Sequence, residues 1–193
     1  MHQVFITEGI VLGKRGAGES NVLTALLTPE HGLLRVSARS ARKEVSKLRY
    51  GLEPLTRARY SLVRGRSEWK LTGVERASRD LLSPREARRC QSGKIARLLL
   101  RLIRGEEPVP GLYEVTEEGL RSLARVHADA DADAVECVLV LRILAYLGYL
   151  PNTPELAPFL TADFFSMELA AQVRVSRQSL IRAINESLNA SGL

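Results

Sequence analysis

The chain has 193 residues, of which 45% are hydrophobic and 26% charged, with a net charge of +6. These proportions fit a soluble globular protein large enough for one core or two small ones. No apolar run approaches the ~20 residues of a membrane span. The opening MHQVFITEGIVLGKR has no basic segment ahead of an apolar one, so no signal peptide is expected and the compartment is expected to be cytoplasmic.

The charge is unevenly spread. Residues 1–104 hold 22 Lys+Arg against 9 Asp+Glu, a balance of +13, and residues 105–193 hold 6 against 13, a balance of −7. A basic half followed by an acidic half points to one lobe facing a polyanion and another facing something else.

In chain order, Val4 to Lys14 is the first predicted strand, with Ile6, Ile10 and Leu12 in one set, and Gly16-Ala17-Gly18 breaks it. Ser20 to Thr28 is the second, followed by a Pro29-Glu30-His31-Gly32 turn. From Leu33 the chain alternates, with Leu34, Val36 and Ala38 opposing Arg35, Ser37 and Arg39. That is the period of a half-buried strand. It runs into a loop whose cations are Arg42, Lys43, Lys47 and Arg49, against the single acid Glu44. Leu55 to Val63 and Trp69 to Val74 are the last two strands, joined by a basic Arg64-Gly65-Arg66-Ser67 turn. Five short strands in about 75 residues suit a small antiparallel barrel, either an OB-fold or an SH3-like barrel.

After Arg79 the period changes to 3.6. Ser83-Pro84-Arg85-Glu86 reads as a capping box with Pro at the first helical position. The helix carries Ala87, Cys90, Ile95, Leu98, Leu99, Leu102 and Ile103 on one face and ends at Gly105. Its other face is basic: Arg85, Arg88, Arg89, Lys94, Arg97, Arg101 and Arg104. That face is either solvated or tracks DNA. Leu112 to Val126 is a second helix. The Asp129-Ala130-Asp131-Ala132-Asp133 run opens a third, apolar nearly all round, which Gly148 closes. Thr153 to Phe165 reads as loop or short helix, and a last helix runs from about Arg177 to Leu188 with Ser176 as cap. The fold class expected is therefore α+β: a five-stranded antiparallel barrel over 1–79, then an all-helical lobe over 80–193. Cys90 and Cys137 lie far apart and are expected as reduced thiols at helix–core positions.

The N-terminal lobe resembles the RecO family of recombination mediators. The likeness rests on Glu8-Gly9-Ile10-Val11-Leu12, Glu19-Ser20 with Leu23 and Leu26, and Leu27-Thr28-Pro29-Glu30-His31-Gly32. It continues through Leu34-Arg35-Val36, Ala38-Arg39-Ser40-Ala41-Arg42, Ser46-Lys47-Leu48-Arg49 with Leu52-Glu53-Pro54, and Arg64-Gly65-Arg66-Ser67-Glu68 with Leu71. Leu139 to Pro151 looks like the family's apolar helix ending in Leu-Gly-x-Leu-Pro. Two departures stand out. Ser40 and Glu53-Pro54-Leu55 replace the family's usual Gly and Gln-Pro-Phe. Leu150 to Met167 also contains no Cys or His where many members carry a four-cysteine zinc cluster, so the helical lobe is reduced and no metal or other cofactor is expected.

The resemblance implies an OB-fold that binds single- and double-stranded DNA, anneals complementary strands and helps load RecA. The implied partners are RecR, RecF in some members, and the acidic tail of the single-stranded-DNA-binding protein; nucleoid association follows. The residues expected to meet DNA are Lys14, Arg15, Arg35, Arg39, Arg42, Lys43, Lys47, Arg49, Arg64 and Arg66. Arginine forks suit phosphate oxygens. Arg121, Arg125 and Arg142 are the candidates for receiving an acidic tail. Trp69 or Tyr60 could stack on bases, or both could be barrel core.

An enzyme reading finds no Gly-x-Ser-x-Gly, phosphate loop or His-Glu-x-x-His, and His2, His31 and His127 do not cluster in sequence. The competing reading is a helix-turn-helix regulator over 168–188, with Arg177, Gln178 and Arg182 facing a major groove. Against it, Arg174 stands where the turn normally has glycine, and an ordinary Ser-capped helix fits the same residues.

Overall fold

A computed structural model describes residues 3–43, 46, 48–66, 68–151, 153–161, 164 and 166–190. Two compact units form: one of residues 1–82 and 103–108, the other of 83–102 and 109–193.

The first unit is a closed barrel of strands β1 (Val4–Ala17), β2 (Asn21–Thr28), β3 (Gly32–Ala38), β4 (Arg57–Arg64) and β5 (Trp69–Ser78). Their order around the barrel is β1-β2-β3-β5-β4, with β4 closing onto β1. Four seams are antiparallel, and the β3–β5 seam is parallel. This order decides for the OB-fold arrangement over an SH3-like barrel. β1 and β5 run longer than expected, to Ala17 and Ser78, whereas β4 starts at Arg57 and not at Leu55. β1 continues through Gly16 and Ala17, which pair with Val22 and Asn21, so the break comes only at Gly18.

Residue parity on β1 also differs from the expected set. Ile6 is 56% exposed, whereas Ile10 and Leu12 are buried. The register shifts between Val11 and Gly13, and four consecutive residues, Gly9 to Leu12, are buried. A bulge lets one strand change its facing side, which simple alternation misses. Inside the barrel Val11, Leu26, Leu34, Val36, Tyr60, Leu62 and Trp69 pack together. Tyr60 donates its hydroxyl proton to Gly51 O at 2.7 Å, so its polar end is satisfied inside.

Residues 103–108 group with the barrel. Trp69 Nε1–H donates to the Glu106 carboxylate at 3.1 Å. Gly32, at φ 62°, faces the Glu107 carbonyl so closely that a Cβ would stand 2.5 Å from its oxygen. Only glycine fits both the backbone angle and the space there.

The second unit consists of α1 (Glu86–Leu102), α2 (Leu112–Arg125), α3 (Asp129–Tyr146), α4 (Ala157–Thr161) and α5 (Met167–Ala190). α3 is its centre, with Val138, Leu139, Leu141, Ile143 and Leu144 buried. Gly148 ends it at φ 75°, and Tyr149 N–H reaches back to Leu144 O at 2.8 Å.

Four expectations about this unit need correcting. α1 starts at Glu86, two residues past Pro84, and its first hydrogen bond is Arg89 N–H to Arg85 O. Ser83 Oγ accepts from Arg85 N at 3.3 Å, so the expected capping box is not formed. The helix ends at Leu102, before Gly105.

The faces of α1 are also rotated from expectation. Ala87 and Cys90 are exposed, while Arg88 is only 2% exposed. Arg88 contacts the Asp129 carboxylate and donates to Gln91 Oε1 at 3.0 Å. Gln91 in turn donates to Glu136 Oε2 at 2.8 Å and Asp133 Oδ1 at 3.2 Å. A polar network toward α3 therefore holds the first turns of α1, and the apolar contact begins only at Ile95.

Finally, residues 167–190 are one unbroken helix, so the helix-turn-helix reading falls. Leu169, Val173 and Leu180 are buried along one continuous stripe, and Ile184 lines the groove beside α3. The cap is Ser166, whose Oγ accepts from Leu169 N at 3.3 Å, and Ser176 lies mid-helix. With Arg174 where glycine would turn the chain, nothing interrupts the helical period.

Candidate nucleic-acid interface

The expected DNA-binding residues separate into three groups. In the first, Lys14, Arg42 and Arg49 line one cavity of about 420 Å³ with Val22, Ala41, Leu52 and Glu53. Lys14 reaches this mouth because it pairs with Thr24, which pairs with Val36, a row whose other side chains are buried. Strand partners share a face, so Lys14 sits on the inward face near its open end. Its ammonium meets Glu53 at 2.7 Å.

Arg42 is brought here by the loop's own anchoring. Ser40 N–H donates to Asn21 Oδ1 at 3.0 Å, and Arg42 N–H donates to Ser20 O at 3.0 Å. Both bonds tie the basic loop to the β1–β2 turn. Arg42 Nη1 also donates to Gly18 O at 3.3 Å. Ser40 itself has φ 52°, in the left-handed region. Glycine in the family's pattern at this place has a physical reason: the loop turns through an angle that costs a side chain. Arg49 comes from a short 3-10 helix, Arg49–Leu52.

The second group lies on the outer face. Arg35 and Arg39 alternate with buried Val36 and Ala38, as expected. Arg15 pairs with Leu23 and Leu23 with Ser37, so Arg15 shares that face. Lys70 pairs with Ser37 and joins it, a cation that sequence reasoning passed over. Its signal was the alternation with the buried Trp69 and Leu71. Lys14 and Arg15 are thus strand residues that point opposite ways.

The third group is the β4–β5 turn. Arg64 and Arg66 are exposed there, outside the residues that line the mouth cavity. The Arg64 guanidinium lies 5.3 Å from the Trp69 ring centroid and 3.8 Å from Glu106. That geometry is a cation–π contact with a nearby carboxylate.

Lys43 is exposed in the loop, and Lys47 and Glu44 lie outside the described residues, as do His2 and Ser67. Trp69 and Tyr60 are both barrel core, 4% and 0% exposed, so neither can stack on a base. The large exposed aromatic beside the basic loop is Tyr50, at 78%. Sequence reading did not single it out, because one Tyr in a loop carries no periodicity.

In the helical unit, Arg125 is exposed, and Arg121 is half-buried against Glu117 one turn earlier. Arg142 is turned inward. Its Nε donates to Phe159 O at 2.9 Å, and its guanidinium lies 4.1 Å from the Phe164 ring centroid. It is therefore withdrawn as a receptor for an acidic tail, because its fork is spent inside the unit. The Asp-Ala run also has inward work. Asp131 and Asp133 lie 3.4 Å from Arg174 and Arg177 of α5, respectively. Burial pushes the Cys137 thiol up to about 11, with Glu136 adding to the shift and Arg177 opposing it. Among the described residues no group of His, Cys, Asp and Glu is arranged to hold a metal ion, and no helix is long and apolar enough to cross a membrane.

These features define an α+β protein with an OB-fold-like barrel, a cation-lined mouth and a helical unit. Residues 1–78 match the family model described as "Recombination protein O N terminal", and residues 93–155 the one described as "Recombination protein O C terminal". The chain belongs to the RecO family.

It is 31% identical over 151 residues to "DNA repair protein RecO" of Exiguobacterium sibiricum, covering 75% of this chain and 57% of that protein. The protein of the same name from Desulfitobacterium hafniense is 30% identical over 163 residues, 80% of this chain and 55% of that one. That of Bacillus subtilis is 28% identical over 150 residues, with 75% and 56% covered. The chain thus spans little more than half the length of the curated relatives it matches.

Proposed function

We propose that the chain is a recombination mediator in DNA repair. It binds single- and double-stranded DNA through the barrel's basic mouth and outer face, anneals complementary strands, and assists RecA loading. The observation that carries this is the convergence of Lys14, Arg42 and Arg49, from a strand, a loop and a 3-10 helix, on one cavity. Arg15, Arg35, Arg39 and Lys70 extend the positive surface over the adjoining strands. Cations drawn from separate elements to one concavity suit a phosphate backbone better than a scattered solvated surface does.

Annealing makes and breaks no covalent bond, so the reading asks no catalytic group of the protein. Two anionic strands repel each other, and a protein that neutralises both lowers that barrier. RecR, with RecF in some settings, and the acidic tail of the single-stranded-DNA-binding protein are the partners this reading carries. On the helical unit the exposed Arg125, with Arg121 beside its Glu117 partner, is proposed to receive that tail.

The test is strand annealing followed by fluorescence quenching, on bare strands and on strands coated with single-stranded-DNA-binding protein. The chain should accelerate both reactions. Failure on bare strands would overturn the mediator reading. Failure on coated strands alone would remove the tail interaction.

A further inference from the structure

We infer that Tyr50 is a base-stacking residue that gives the basic mouth a preference for unpaired over paired DNA. This rests on the DNA-binding reading above and deepens it.

The argument starts from the geometry of a 3-10 helix, which has three residues per turn, so that residues i and i+3 eclipse while the two between point elsewhere. In Arg49–Leu52 the eclipsed pair is Arg49 and Leu52, and both line the mouth cavity. Leu52 is buried and anchors that side in the barrel core. Gly51 faces β5 so tightly that a Cβ would stand 2.2 Å from Val74 Cγ1, and its carbonyl accepts the buried Tyr60 hydroxyl at 2.7 Å. The direction that remains belongs to Tyr50, and it leads into solvent, leaving the residue 78% exposed.

The ring is therefore presented from a short segment fixed on two sides, next to a cation of the mouth. An isolated exposed aromatic is ordinary on a protein surface. A clamped pedestal beside Arg49 distinguishes this one. A phosphate held at Arg49 brings its neighbouring base to the Tyr50 ring. In a duplex both faces of that base are already stacked, so only an unpaired base can use the ring. Stacking of one base on an aromatic is worth about 1–3 kcal/mol, a factor of roughly 5 to 150 in affinity.

The experiment measures the full chain binding to oligothymidylate and to a duplex of equal length, across a salt series, for wild type, Tyr50→Ala, Tyr50→Phe and Tyr50→Trp. Tyr50→Ala should weaken oligothymidylate binding about tenfold, within that range, with duplex affinity and both salt slopes unchanged. Tyr50→Phe and Tyr50→Trp should bind like wild type, because each keeps a π-face. Oligothymidylate carrying 5-iododeoxyuridine should crosslink at residue 50 in wild type. Unchanged single-strand affinity in Tyr50→Ala overturns the inference while leaving the basic mouth in place. An equal loss on both DNAs also overturns it, since stacking would spare the duplex. If wild type binds neither DNA, the mediator reading fails and the stacking role with it.

Discussion

Reversing the loop cations should change how binding responds to salt, and the size of that change follows from the number of phosphates neutralised. If Arg39, Arg42, Lys43, Lys47 and Arg49 each neutralise one phosphate, log K against log salt for single strands should slope at about −3.5, at roughly 0.7 per contact. Affinity then falls roughly a hundredfold between 50 and 200 mM salt. The triple variant Arg42→Glu, Lys43→Glu, Arg49→Glu removes three of the five contacts and should flatten the slope to about −1.4, a loss of roughly sevenfold over the same range. Annealing should disappear for all sequences alike. Folding should survive, because the three side chains are exposed and the loop stays tied by the main-chain bonds of Ser40 and Arg42 to the β1–β2 turn. Surface changes of this kind shift stability by about 0.5 kcal/mol or less each. The matched control is Lys94→Glu, Arg97→Glu, Arg101→Glu, three exposed positions of α1 with the same charge change. Salt titrations followed by fluorescence anisotropy decide the outcome. If the α1 variant loses DNA and the loop variant keeps it, the path of the DNA runs over the helical unit and the basic mouth is not the site.

Arg88 belongs in no such control. Arg88→Glu sets a buried carboxylate beside Asp129 and the Gln91 network, and should cost about 4 kcal/mol or more in urea unfolding. A cost equal to that of Lys94→Glu would show that the buried pair does not matter. At Ser40, with φ 52°, Ser40→Val should destabilise by about 1–2 kcal/mol, whereas Ser40→Gly should be neutral or slightly stabilising in thermal melts. Equal melts for both would remove the left-handed turn from the argument. Cys90 is exposed and Cys137 half-buried with a thiol at about 11, so iodoacetamide near pH 8 should modify Cys90 quickly and Cys137 slowly, as peptide mass spectrometry would read. The folded thiol holds its proton more tightly than the unfolded one, so its contribution is full below pH 9 and is lost as pH rises toward about 11. A Cys137→Ala chain should lack that alkaline loss.

The barrel was legible because its core obeys alternation. Leu34, Val36 and Ala38 against Arg35, Ser37 and Arg39 fixed β3 to within a residue, and β2 read equally well. β1 was harder, since its bulge puts Gly9 to Leu12 inside in succession and strands Ile6 outside. The helical unit was read by the same logic and misled at its ends. Arg88 looked like surface because arginine usually is. Its burial depends on Asp129 and Gln91, partners that appear only once α1 and α3 lie together. Ser176 followed by Arg177 resembled a helix start in isolation. The stripe through Leu169, Val173 and Leu180 shows that the period had already begun ten residues earlier.

The same distinction explains the site. Composition gives the sign of a surface but not which of its cations converge. Lys14 and Arg15 are neighbours in sequence, yet alternation sends one into the mouth and the other outside. Arg42 and Lys14 are far apart in sequence, yet both line one cavity, because Ser40 N–H bonded to Asn21 Oδ1 and Arg42 N–H bonded to Ser20 O fold the loop back onto the β1–β2 turn. In the acidic half, Asp129, Asp131 and Asp133 meet Arg88, Arg174 and Arg177 within one unit. Over that whole unit, residues 83–102 and 109–193, 12 Lys+Arg balance 12 Asp+Glu. In the barrel unit Glu53 holds Lys14, Asp80 lies near Arg57 and Glu106 approaches Arg64, while Arg15, Arg35, Arg39, Lys43 and Arg66 stand exposed. The imbalance that matters for a polyanion is therefore local to the barrel. The first unit holds 16 Lys+Arg against 10 Asp+Glu, so the chain's whole net +6 lies on it.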